Sequence, residues 1–187
     1  MKEIVKWILY IGGVFLFSFL FTHLVAMRAV VDGASMENTL YDKDNLIVEK
    51  LTYRLRDPKR FEIAICPGVP REVNGKEVRD YYIKRIIGLP GETIGIKDGK
   101  VTINGKVLEG DIYGKEDYIR QGIDGPAADM LLPGPYTLQK DEYFLMGDNR
   151  NNSRDSRDPL LGPVKREKLA GKVWIRIWPL SAFGKLH

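Results

Sequence analysis

The chain has 187 residues, room for about one domain with a proper core. Its formal charge of +4 is spread along the sequence, and a single cysteine, Cys66, excludes any intrachain disulfide. No recognisable nucleic-acid module or aromatic-basic platform accompanies the basic residues, which argues against a nucleic-acid partner.

Lys2 and Lys6 precede a run, Trp7 to Met27, that contains no Asp, Glu, Lys or Arg. Its roughly 21 residues suffice to cross a hydrocarbon core as a helix. A cleaved signal peptide is the alternative, but its apolar region spans about 7 to 15 residues and ends at a small-x-small site. Here Leu24 stands two residues before Ala26, and Met27 two before Ala29, so a retained anchor is expected. Lys2 and Lys6 favour a cytoplasmic N-terminus, Arg28 votes against it, and everything after Met27 is expected outside. The basic cluster "YRLRDPKR", Tyr53 to Arg60, reads as a solvated loop, with contact to anionic lipid as the alternative.

Past the anchor, apolar residues alternate more often than they follow a helical period. Candidate strands are "NLIVEKL", "FEIAIC", "YYIKRIIG", "TIGIK", "KVTIN", "YFLMG" and "KVWIRIW". Asp98-Gly99 is a two-residue hairpin signal, and Asn74-Gly75 and Asn104-Gly105 mark further tight turns. The expected fold is mainly β. From about Glu109 to Pro135 the pattern gives way to Gly, Asp and Pro with scattered aromatics, which suggests an insertion or long loops.

Elimination narrows the chemistry. His23 falls in the apolar run and His187 ends the chain, so a Ser-His-Asp site is not supported. Cys66 has no histidine partner and reads as a packed residue, and zinc ligands are missing. "DNRNNSRD" places Arg150 and Ser153 where a calcium loop needs Asp or Asn and Gly. No metal and no cofactor is therefore expected.

A carboxylate or a lysine remains as general base. In "YYIKRIIG" the strand period puts Lys84 and Arg85 on opposite faces. Burial can bring a lysine amine down to a useful range, whereas an arginine stays charged and needs a carboxylate. On its own, Lys84 reads as an exposed strand lysine, and a nucleophile nearby changes that reading. "VVDGASMENTL" supplies Ser35 behind the small residues Gly33 and Ala34, although Ser35 also suits a helix cap or a turn. "MGDNRNNSRDSRD" supplies Ser153, a hydroxyl suited to orienting an amine, and Asp148 and Asp155, carboxylates suited to pairing with arginines. The usual reading of such a polar run is a solvated loop.

"GASMENTL", "YYIKRIIGLPGE" and "FLMGDNRNNSRDSR", in this order after an N-terminal span, resemble the single-span bacterial type I signal peptidases over essentially the whole chain. The resemblance implies a β catalytic domain at 29–187, with a less regular insertion near 106–136, behind an anchor at 1–28. It implies a serine endopeptidase of the cytoplasmic membrane that removes signal peptides from preproteins after a small residue, through an acyl-enzyme. Its partners would be secretory preproteins, membrane lipid and the export machinery. By the same resemblance Ser35 is the nucleophile, Lys84 its base, and Ser153 the hydroxyl that positions Lys84. Asp148 pairs with Arg85, and Asp155 with Arg157. Met36, Leu40, Tyr82 and Ile83 shape the pockets for the −1 and −3 residues. The family usually carries Pro where Asn38 stands and Gly-Asp where Phe61-Glu62 stands. Rival readings are a self-cleaving Ser-Lys protease of the repressor type and a membrane-tethered β-rich binding module.

Overall fold

The computed structural model describes residues 2–120 and 134–186, with the side chains of residues 20–24 set aside. Helix α1 (Lys2–Leu24) is followed by β1 (Ala26–Val30), which therefore begins inside the charge-free run. The helix gives way because β1 pairs in register with β2 (Asn45–Glu49), from Ala26 opposite Glu49 to Val30 opposite Asn45. The described apolar side chains of α1, among them Ile8, Leu9, Phe15 and Phe17, are exposed on every face. Among the described residues no helix is long and apolar enough to cross a membrane.

The rest is mainly β. After a short helix, α2 (Thr52–Leu55), come β3 (Ile63–Pro67), β4 (Arg71–Val73), β5 (Lys76–Val78) and β6 (Tyr81–Gly88). Then follow β7 (Thr93–Lys97), β8 (Lys100–Ile103), β9 (Lys106–Val107) and β10 (Tyr136–Thr137). The last are β11 (Glu142–Met146), β12 (Val164–Lys165), β13 (Gly171–Trp178) and β14 (Gly184–Lys185). Each of the seven strands expected from alternation is present. The principal sheet runs β1-β2-β13-β3-β6-β11-β12, with β14 on β13, and a smaller one runs β10-β7-β8-β9.

The three Asn-Gly and Asp-Gly turns connect β4 to β5, β7 to β8 and β8 to β9, with both central residues at positive φ in each. That is the backbone a two-residue antiparallel connection requires, and Asn, Asp and Gly tolerate it best. Of the expected insertion at 106–136, residues 121–133 lie outside the described ones. The part before them, 108–120, is irregular and packs through Ile119 into a core with Ile94, Val101 and Leu138.

Strand β6 lies between β3 and β11, near the middle of the principal sheet, and this positions the site. Ile86, on the Lys84 face, packs with Ala64, Cys66 and Leu145. On the Arg85 face, Ile87 belongs to the core of Phe144 and Met146, and Ile83 borders that of Met36, Leu40 and Ile65. Both faces are covered, so both cations are dehydrated. Cys66, at the end of β3, is fully buried, and burial pushes its thiol up to about 12, so it is packing and not a nucleophile.

Candidate active site

Ser35 lies on the turn between β1 and β2. Gly33, at φ +89, opens the turn and donates its N–H to Asp42 Oδ1 at 2.9 Å, and Leu40 closes it by donating to Met36 O at 2.8 Å. Lys84 reaches this turn from β6. Its Nζ donates to Ser35 Oγ at 2.7 Å and to Ile83 O at 3.1 Å, with the residue 3% exposed. Burial holds the Lys84 amine below its ordinary value; the charge of Asp155 opposes that shift and the charge of Arg157 reinforces it.

The loop after β11 closes over the pair. Gly147 admits no side chain, since a Cβ there would collide with Ser153 Oγ and Ser35 O. Asn149 holds the Ser35 turn from the same side, donating its backbone N–H to Ser35 O at 3.1 Å and its amide to Ala34 O at 3.1 Å. Asp155 accepts from Gly147 N–H at 2.9 Å and takes both prongs of Arg157 at 2.7 Å. Burial alone would raise the Asp155 carboxyl, but the Arg157 charge and these hydrogen bonds hold it below its ordinary value. Ser156 fastens the loop to β11, its N–H donating to Leu145 O and its hydroxyl accepting from Leu145 N–H.

On the opposite face Arg85 is fully buried and forks onto Asp148, Nε to Oδ1 at 2.9 Å and Nη2 to Oδ2 at 2.8 Å. Its Nη1 donates to Phe61 O at 2.6 Å. Thr39 completes the cluster, accepting from Arg85 Nη2 at 3.1 Å and donating to Asp148 Oδ2 at 2.6 Å.

Not every expected residue falls into place. Ser153 is buried, but its Oγ makes no hydrogen bond, to Lys84 included. Tyr82 and Ile83 line a groove beside the pair, of about 480 Å³, together with Met27 to Asp32, Ile65 and Ala170. Met36 and Leu40 do not line it. At 1% and 0% exposure they pack against Val31, Leu46 and Ile63. Thr39, Asn149 and Ser156 were missed in the sequence; the only signal for them was their position inside the three quoted motifs.

The site thus presents a serine hydroxyl within hydrogen-bond distance of a dehydrated lysine on a β scaffold, and comparison with known proteins gives the class. The model of the family described as signal peptidase, peptidase S26, matches residues 4–178. The chain belongs to this family of serine proteases. A probable signal peptidase I-2 from Synechocystis sp. is 42% identical over 162 residues, covering 87% of this chain and 67% of that protein. Signal peptidase I P from Bacillus subtilis subsp. natto is 34% identical over 184 residues, 96% of this chain and 92% of that one. Among solved structures, a signal peptidase I from Enterococcus faecalis V583 shares 29% identity with a TM-score of 0.44, over 63% of this chain and 97% of the other.

Proposed function

We propose that the protein cleaves N-terminal signal peptides from exported preproteins after a small residue, with Ser35 as nucleophile and Lys84 as general base. The observation that carries this reading is the 2.7 Å contact between Lys84 Nζ and Ser35 Oγ, made by an amine that burial disposes to be neutral. Neutral Lys84 takes the Ser35 proton as Oγ attacks the scissile carbonyl, then hands it to the departing amine. The acyl-enzyme that remains is hydrolysed by water, with Lys84 again as base. The Ser35 N–H is the expected donor to the oxyanion, because Gly33 supplies no hydroxyl two residues before the nucleophile. The unpaired Ser153 hydroxyl is the group available to hold the Lys84 amine once Ser35 has turned to substrate. Tyr82 and Ile83 shape the groove for the −1 and −3 side chains, and Met36 and Leu40 act on it only by supporting its floor.

The sequence run Trp7 to Met27, which carries no Asp, Glu, Lys or Arg over a length sufficient for a hydrocarbon core, supports a membrane anchor, and the described part of α1 does not. In this reading the run belongs to a single anchor at 1–28, with the N-terminus cytoplasmic and the catalytic domain at 29–187 on the outer side. Anchor and signal peptide share the bilayer, which raises the effective concentration of the scissile bond near Ser35 and brings the protein beside lipid and the export machinery.

The test is cleavage of a preprotein carrying an Ala-x-Ala site by the detergent-solubilised full chain. Cleavage is expected from the wild type and not from folded Ser35→Ala or Lys84→Arg. Near-normal turnover by Lys84→Arg would remove the base, and no cleavage by the wild type in any lipid or pH condition would favour a binding module.

A further inference from the structure

Residues 111–118 carry no regular secondary structure, yet their contacts reach Arg85, Asp148, the Ser35 turn at Glu37 and Asn38, and the loop at Arg150 and Asn151. Asp111 forks onto Arg150 at 2.7 and 2.8 Å, with side-chain exposures of 11% and 3%. Arg150 Nε in turn donates to Gly147 O at 3.0 Å, at the glycine against which Ser35 and Ser153 pack. The Tyr113 ring lies 3.6 Å from the Arg85 guanidinium, and its carbonyl accepts the Asn38 amide at 3.0 Å. Lys115 pairs with Glu37 at 2.6 Å and donates its N–H to Asp148 O at 2.8 Å. Tyr118 O accepts the Asn151 amide at 3.0 Å.

We propose that this segment is a strap that fixes the Ser35 turn and the 147–153 loop relative to each other, and that Asp111 is its positioning residue. The two loops come from distant parts of the chain, and neither belongs to a strand at the point where they meet. Their mutual placement decides whether Ser35 Oγ stands in line with Lys84 Nζ and whether water is kept from the amine. Asp111 matters most because its partner Arg150 cannot lose its charge and is almost fully enclosed. Without the carboxylate, the Arg150 guanidinium turns toward water and draws on the Gly147 carbonyl that it grips.

The proposal rests on Ser35 and Lys84 being the reacting pair, and the experiment separates the two. Single-turnover cleavage of an Ala-x-Ala preprotein is followed against pH in the full chain and in Asp111→Asn, Asp111→Glu and Glu92→Gln. Glu92 forks onto Arg60 in a partly enclosed pair, 19% and 22% exposed, that lies outside the site, so its variant reports the cost of losing a carboxylate–arginine fork as such. Asp111→Asn is expected to lower kcat about tenfold or more with KM changed less than about threefold, as displaced reacting groups do. Its rate should rise with pH only at more alkaline values than the wild type, because water admitted to Lys84 restores its ordinary basicity. Asp111→Glu should recover part of both changes. Wild-type kcat and pH profile in Asp111→Asn, or a loss matching Glu92→Gln with an unmoved profile, would overturn the strap. Should Asp111→Asn fail to fold, Tyr113→Leu keeps the ion pair, and an unmoved profile there overturns it equally. Full activity in Ser35→Ala would instead bring down the catalytic reading.

Discussion

Arg85 and Asp148 meet prong to prong at 2.9 and 2.8 Å with no exposure on either side chain, one residue along β6 from Lys84. The pair joins β6 to the loop that closes over Ser35, so the cation that cannot be neutralised serves as a fastener, while its neighbour Lys84 is the amine that the proposed mechanism deprotonates. Removing one partner leaves a charge buried without compensation. Asp148→Ala is therefore expected to lose about 3 to 5 kcal/mol, read by urea denaturation. The double variant Arg85→Met with Asp148→Leu should recover most of it, because the charge to be dehydrated is gone.

The depressed basicity of Lys84 gives stability a pH dependence of definite sign. The folded value lies below 10.5, the value in an unfolded chain, so the unfolded state binds more protons between the two. The penalty for burying the amine is complete below the folded value and fades as pH rises to about 10.5. Lys84→Met should accordingly be more stable than the wild type at neutral pH and lose that advantage toward pH 10.5, as measured by denaturation midpoints across the range. A constant difference at all pH values would mean that the amine is charged in the fold.

Asp155 and Arg157 act on the same amine with opposite signs. Asp155→Asn removes the charge that favours protonated Lys84 and leaves the opposing Arg157 unpaired. Cleavage should then begin at lower pH than in the wild type. Arg157→Met should shift the onset to higher pH, since the Asp155 charge then acts unneutralised. Both variants lose stability, because each strands a buried charge, so the direction of the pH shift and not the loss of rate is what tests the account. Shifts in the same direction would refute it.

The strands and hairpins could be read in the sequence because their signals are local: a period of two along the chain, and Asn-Gly or Asp-Gly where φ must be positive. Strand β1 could not, because its "AMRAV" continues an apolar run and only its partner β2 shows that it is extended. The quoted motifs contain Ser35, Lys84 and the two carboxylate–arginine pairs. The strap at 111–118 was invisible, since single polar contacts between distant positions leave no periodicity. Met36 and Leu40 show a further limit: an apolar residue beside the proposed nucleophile reads equally as pocket wall or core, and here both pack into the core.

Asn38 stands where the resemblance to the family leads one to expect a proline, and its backbone explains why proline does not suit this turn. Its φ is 96°, in the left-handed half of backbone space, where asparagine is tolerated, whereas proline is locked near −65°. Asn38→Pro should force the Ser35 turn to rebuild, costing about 3 kcal/mol or more and lowering cleavage with it. Asn38→Gly retains the turn and loses only the amide contact to Tyr113 O, an effect of about 1 kcal/mol that glycine's ease at positive φ partly offsets. Thermal unfolding and preprotein cleavage on the two variants check this together, and a proline variant as stable and active as the glycine one would show that the turn does not need its left-handed residue.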